Sequence, residues 1–171
     1  TLRGLAQLWN TSLPIDNGLA LGADVPVCIK STNQRMQGIG EILTDIEIFP
    51  KLSAVLINSG DKVSTLRIFK TLKSKYNQDI GSLPKNKLSF IETIHFLSNL
   101  RNDLENPAID LVPNIKNVLD VLNSCGSELS RMSGSGGTCF GVFQSFELAQ
   151  KAAKKISLEN PKWWVQPVIM G

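Results

Sequence analysis

Five residues, Ser133-Gly134-Ser135-Gly136-Gly137, separate two short apolar stretches at 128–132 and 138–143. Glycine reaches backbone conformations closed to other residues, so the segment turns the chain tightly and the two stretches read as the strands of a hairpin. Upstream, Leu52-Ser53-Ala54-Val55-Leu56-Ile57 reads as a buried strand ending in the turn formers Asn58-Ser59-Gly60-Asp61. Between them the period is helical. Ser64 can cap a helix carrying Leu66, Phe69, Leu72 and Lys73; Phe90, Ile94 and Leu97 give a second stripe; Ile115, Val118, Leu119 and Leu122 give a third, preceded by Pro113 and stopped by Gly126. A polar loop with Gly and Pro covers 76–86. Ser145 and Glu147 open a last helix that buries Phe146, Ala149, Ala152, Ala153 and Ile156 and ends in lysines, and 163–170 is the closing strand. The order strand, several helices, strand, strand, helix, strand is a split βαβ arrangement with an enlarged first crossover, and the expected class is α+β.

Pro50-Lys51 marks a boundary, giving one region at 1–50 and another at 51–171. In the first, Leu2, Leu5, Ala6 and Trp9 share a helix face whose capping residues are not in the sequence, and the chain opens at Thr1 without an initiator Met, so it is expected to begin inside an element. A turn-rich loop follows at 10–18. In Leu21-Gly22-Ala23-Asp24-Val25-Pro26-Val27-Cys28-Ile29 the β-branched run predicts a strand start at Val27 to Ile29. Gly38 and Gly40 inside the strand-like 35–43 predict a hairpin that comes close to another backbone.

Eighteen Lys and Arg against fifteen Asp and Glu give a net charge of +3, too little to imply a nucleic-acid partner. No apolar run approaches the ~20 residues of a membrane span, and no secretory signal opens the chain. Cys28, Cys125 and Cys139 are too few and too far apart for a disulfide framework or a metal site, and read as reduced thiols.

Two places can carry chemistry. The turn at 133–137 can present successive backbone N–H groups and hydroxyls to an anion, although glycine and serine serve any tight turn equally. Asp24, before the apolar run, can accept a proton from a substrate hydroxyl, although an isolated Asp is also an ordinary cap or turn residue. Leu21-Gly22-Ala23-Asp24-Val25-Pro26-Val27, Gly38-Ile39-Gly40-Glu41, Asn102-Asp103-Leu104-Glu105 and Ser133-Gly134-Ser135-Gly136 occur in that order over most of the chain. Together they resemble the diphosphocytidyl-methylerythritol kinases of the GHMP kinase superfamily. The resemblance implies the remainder of a GHMP N-terminal domain at 1–50 and a ferredoxin-like C-terminal domain at 51–171. It implies ATP with Mg2+ and a cytidine diphosphate derivative as ligands, with Asp24 as catalytic base. Ser133, Gly134, Ser135, Gly136 and Gly137 would shape the pocket beside the phosphates. The Asn-Asp-Leu-Glu segment reads as structural.

Phe69 sits where the family places an aromatic beside the cytosine ring, against a competing core reading from its spacing with Leu66 and Leu72. The family's glycine-rich ATP loop has no counterpart here. It is expected in an N-terminal segment of the same protein upstream of Thr1, and a fragment without it would be inactive alone. No nucleic acid, no membrane, a bacterial cytoplasmic setting and a monomer or weak dimer complete the expectation. Thr138-Cys139-Phe140-Gly141-Val142-Phe143 loosely echoes the aromatic strand of an RNA-binding module, without the basic residue expected before its first ring. A regulatory ferredoxin-like domain that binds a small molecule without turnover is the third reading, and it has no need of Asp24.

Overall fold

Pro26 decides the local structure around the candidate base. In the computed structural model, which describes residues 2–13, 18–74 and 77–171, it occupies the first turn of a helix. Thr1, residues 14–17 of the first predicted loop and Tyr76 of the second lie outside the described residues. By Cα packing the chain divides into two compact units, Thr1–Ile48 with Gly171, and Phe49–Met170.

The first unit contains helix α1 (Leu2–Leu8), on which no residue is buried, then a single 3-10 turn at Leu19–Leu21 and helix α2 (Val25–Lys30). Helix α2 corrects the strand start expected at Val27 to Ile29. Proline in a first turn lacks only an N–H that the helix leaves unbonded there, and its fixed φ suits the helix, so Pro26 starts α2 instead of restraining a strand. The preference of Val25, Val27 and Ile29 for strands is a weak one, and it yields here. Ser31, at φ 57°, ends the helix.

Strands β1 (Gln34–Gln37) and β2 (Ile42–Asp45) then form an antiparallel hairpin with Gln37 opposite Ile42. The Nζ of Lys30 and the Nε2 of Gln34 both donate to Asp45 at 2.7 Å, the lysine bond first in effect, and together they hold its carboxyl below the usual range. The hairpin's turn approaches another backbone at Gly40. Its φ is 109°, and a Cβ there would stand 2.3 Å from the carbonyl oxygen of Ala23. Only glycine fits that approach without displacing the residue that precedes Asp24.

The second unit is built on one four-stranded antiparallel sheet of β3 (Leu52–Asn58), β4 (Leu129–Met132), β5 (Thr138–Phe143) and β6 (Trp164–Met170), in the order β4-β5-β3-β6. Its helices are α3 (Thr65–Thr71), α4 (Phe90–Ser98), α5 (Glu105–Leu111), α6 (Asn114–Ser124) and α7 (Phe146–Glu159). Because side chains alternate along a strand, the sheet feeds two cores. Val55, Ile57, Met132, Cys139 and Phe143 face buried residues of α5, α6 and α7, while Leu52, Leu129 and Val142 face Phe90, Ile94 and Leu97 of α4.

All four positions of the third predicted stripe, Ile115, Val118, Leu119 and Leu122, are buried on α6. On α3 the buried residue is Ile68, and Leu66 and Phe69 are exposed; the short helix turns a different face inward from the one the Leu66–Phe69–Leu72 spacing suggests. On α7, Ala149, Ala152, Ala153 and Ile156 are buried and Phe146 is half-buried, but the helix runs on to Glu159 and its last turn holds no basic residue.

Helix α4 starts at a capping box. The Ser89 hydroxyl accepts from the Glu92 N–H, and the Glu92 carboxylate accepts from the Ser89 N–H at 2.8 Å and from its hydroxyl. These bonds hold the Glu92 carboxyl below its ordinary value, the hydroxyl first. A depressed folded value means the contribution is complete above the unfolded glutamate range and is lost as pH falls through the folded value. Ser89→Ala removes both bonds of the hydroxyl and leaves the backbone N–H bond to Glu92, and a thermal melt at neutral pH is expected to fall by about 3 °C, with the difference from wild type shrinking in acid.

Candidate functional site

The turn at 133–137 is made by glycines at positive φ, 55° at Gly134, 113° at Gly136 and 84° at Gly137, and is closed by the Gly136 N–H donating to the Ser133 carbonyl at 3.1 Å. The Ser133 N–H donates across it to the Thr138 carbonyl at 2.8 Å. The neighbourhood is crowded on one side. A Cβ on Gly136 would stand 3.0 Å from Cγ1 of Val63 and 3.1 Å from Sδ of Met132. Ser133 and Gly134 are exposed, and Ser135, Gly136 and Gly137 are half-buried.

Three elements hold this turn. At the end of β3, Asn58 Nδ2 donates to Oγ1 of Thr138 at 3.1 Å, and its Oδ1 accepts the Gly60 N–H, which shapes the loop leading to α3. At the start of α3 the hydroxyls of Thr65 and Ser135 are 2.9 Å apart. From the link between α4 and α5, Asn102 Nδ2 donates to the carbonyls of Met132 and Gly134, and at the start of α5 Glu105 Oε2 accepts the Met132 N–H at 2.7 Å. Backbone N–H groups and hydroxyls on a turn held at these points form a donor set suited to phosphate oxygens.

Phe69 lies on the same helix as Thr65, four residues on. Residues four apart share a helix face, so its half-exposed ring stands about one turn, ~5 Å, along α3 from the contact with Ser135. A core role is closed to it, because Ile68 fills that position. Helix α3 thus brings the predicted aromatic and the predicted phosphate turn to one side of the second unit.

Asp24 belongs to the first unit. It occupies the N-cap position of α2, yet its side chain makes no capping hydrogen bond, so the carboxylate is not spent on the helix. It is exposed and lines a cleft of about 300 Å³ with Leu2, Arg3, Val25, Cys28 and Ile29. Among the described residues that line the cleft it is the one acid.

Cys139 is buried in the helix-facing core, and its thiol is pushed up to about 12, first by burial and then by the Glu105 carboxylate. It is a packing group at any ordinary pH. The two rings of β5 are also committed: Phe143 is buried and Phe140 packs against the core under α4, so the strand presents no pair of stacking rings.

Residues 87–162, which span α4 to α7 and include the turn, match the family described as GHMP kinases C terminal. A 4-diphosphocytidyl-2-C-methyl-D-erythritol kinase of Paracoccus denitrificans is 47% identical over 149 residues, covering 85% of this chain and 54% of that protein. One from Dinoroseobacter shibae is 42% identical over 170 residues, covering 99% of this chain and 59% of that protein. A crystal structure of 4-(cytidine 5'-diphospho)-2C-methyl-D-erythritol kinase superposes with a TM-score of 0.75 at 25% identity, covering 99% of this chain and 62% of that one. The chain belongs to the GHMP kinases. It spans just over half the length of these two curated relatives.

With this GHMP chain in view, the residues missed by sequence reasoning are the holders of the turn. Asn58, Thr65 and Glu105 each act by one hydrogen bond, and Asn102 by two, to positions between 27 and 80 residues away. Asn102 and Glu105 fall inside the Asn-Asp-Leu-Glu segment, which the sequence marks as structural without naming the turn it holds. Arg131, just before the turn, donates to the carbonyls of Leu97 and Leu100 and so closes the C-terminal end of α4.

Proposed function

We propose that this chain is part of an ATP-dependent kinase that phosphorylates the 2-hydroxyl of 4-diphosphocytidyl-2-C-methyl-D-erythritol, a step of the non-mevalonate route to isoprenoids. The observation that carries the reading is the alignment of 99% of the chain, Asp24 and the glycine turn included, with a kinase named for that substrate. The geometry supports it with a carboxylate free of structural hydrogen bonds and a turn whose donors suit phosphate. In this reading residues 1–50 complete an N-terminal domain and residues 51–171 form the ferredoxin-like domain of a cytoplasmic bacterial enzyme.

Asp24 takes the proton of the substrate hydroxyl as its oxygen bonds to the γ-phosphorus and the bond to the bridging oxygen of ADP breaks. The turn at 133–137 holds phosphate oxygens through N–H and hydroxyl donors while negative charge shifts during transfer. Phe69 stacks on the cytosine, which fixes the distal end of the substrate and confers preference for a nucleotide-bearing alcohol. Mg2+ accompanies the ATP phosphates, which supply much of its coordination in kinases. Among the described residues no three His, Cys, Asp or Glu side chains are placed to hold a metal by themselves. The family's glycine-rich ATP loop would come from the portion of the relatives' length that this chain does not match.

The test is phosphate transfer from γ-labelled ATP by the whole gene product that carries this chain. Label is expected on the 2-hydroxyl of the cytidine substrate, and the same alcohol without its cytidine monophosphate is expected to react at least tenfold more slowly, the scale of losing remote binding energy. Equal rates for the two alcohols would overturn the cytidine assignment, and no transfer to either would overturn the kinase reading.

A further inference from the structure

Asn102, in the link between α4 and α5, commits its whole side chain to backbone groups. Nδ2 donates to the carbonyl of Met132 at 3.0 Å and to that of Gly134 at 2.8 Å, and Oδ1 accepts the Leu104 N–H at 3.0 Å. The described peptide bonds include none in the cis form, and in a trans peptide the C=O and N–H point in opposite directions. Holding the Met132 carbonyl toward Asn102 sends the Ser133 N–H the other way, where it closes on Thr138. Holding the Gly134 carbonyl toward Asn102 likewise sends the Ser135 N–H away from it. That N–H donates to no protein acceptor among the described residues.

The turn cannot fix this direction by itself. With glycines at 134, 136 and 137, its peptide planes can rotate at small steric cost, since no Cβ opposes the change. The contact between Thr65 and Ser135 joins two hydroxyls and leaves the 134–135 peptide plane free to turn. Glu105 steadies the strand end by accepting the Met132 N–H, one peptide earlier. Asn102 is the group that grips the 134–135 plane.

We infer that Asn102 is a positioning residue for phosphoryl transfer: by holding the Gly134 carbonyl it aims the Ser135 N–H at the phosphate received by the turn. The inference rests on the kinase reading, and its test separates the two. Asn102→Asp keeps an oxygen to accept the Leu104 N–H but replaces the donor with a carboxylate oxygen facing two carbonyls. Asn102→Ala removes both halves of the interaction and adds no charge, so it serves where the repulsion in the first variant is too disruptive.

The whole gene product is used, with ATP as the varied ligand, and rates are normalised to the folded fraction. For Asn102→Asp, amide exchange at Ser133 and Gly136 is expected to quicken on the order of tenfold while β3 is unchanged, the scale of losing a hydrogen-bonded tether. The rate constant is expected to fall and the KM for ATP to rise, each about tenfold, with the KM for the alcohol unchanged, because loss of alignment acts on the transferring phosphate. Asn102→Ala should change the same quantities in the same directions. A merely structural role would lower the folded fraction without this split between ligands. Unchanged exchange at Ser133 and Gly136 in both variants overturns the clamp. Faster exchange with wild-type kinetics toward ATP overturns its role in the reaction. If the wild-type protein transfers no phosphate the kinase reading and the role in it fall together, and the exchange comparison still decides whether Asn102 holds the turn.

Discussion

Asp24→Asn lowers phosphoryl transfer by about 10²–10⁴-fold, the range expected for loss of a general base, and leaves the melting temperature within a degree or two of wild type. The second half of that expectation comes from the structure. An N-cap aspartate normally accepts a backbone N–H, and its removal weakens the helix, but Asp24 makes no such bond and is exposed. Asparagine is nearly isosteric, remains a good N-cap residue and cannot take up a proton at neutral pH. Rate and stability therefore separate at this position. Steady-state kinetics and a thermal melt on the same preparation check both, and a rate within threefold of wild type would remove Asp24 as the base. A fall in rate matched by an equal loss of folded protein would show instead that its role is structural.

The second unit was legible in the sequence because its elements repeat a signal. Ile115, Val118, Leu119 and Leu122 return to one face of α6, and β3 and β5 are apolar runs bounded by turn formers. Where elements are short the signal fails. Helix α3 has seven residues, and a stripe through Leu66 and Phe69 differs from one through Ile68 by too few positions for periodicity to choose between them. Helix α2 has six residues, three of them β-branched, so composition pointed to a strand while Pro26 and the N-cap Asp24 pointed to a helix start. Helix α5 carries Pro107 in its first turn and offers one buried residue, Ala108.

The candidate site divided in the same manner. Glycine spacing announced the turn, and a motif announced Asp24, because both depend on residue types adjacent in the chain. The groups that hold the turn were silent because their partners are main-chain atoms or single hydroxyls far along the chain. Asn102 reaches carbonyls 30 and 32 residues away, and a carbonyl has no residue identity to read. Gly40 lies between these cases. Its place in a strand-like stretch predicted a close backbone approach, and the structure supplies the partner, Ala23, which the sequence could not name.

That partner makes Gly40→Ala the other substitution with a large expected effect. The new methyl would lie 2.3 Å from the Ala23 oxygen and 3.0 Å from its carbonyl carbon, and both are backbone atoms that cannot rotate aside as a side chain would. The φ of 109° adds strain for any L-residue with a Cβ. A cost of about 1–3 kcal/mol is expected from strain and overpacking together, read as a lower midpoint of chemical denaturation. The consequence for chemistry follows from peptide planarity. The Ala23 carbonyl shares its plane with the Asp24 N–H, so pushing that oxygen aside turns the backbone that carries the carboxylate. Transfer should fall about tenfold in the protein that remains folded, since a shift of roughly 1 Å in a reacting group is enough for such losses. If Gly40 acts through Asp24, combining Gly40→Ala with Asp24→Asn should slow the reaction little more than Asp24→Asn alone, because contacts that serve one group are not additive. Full additivity of the two rate effects would mean that the hairpin turn influences turnover by a route that does not pass through residue 24.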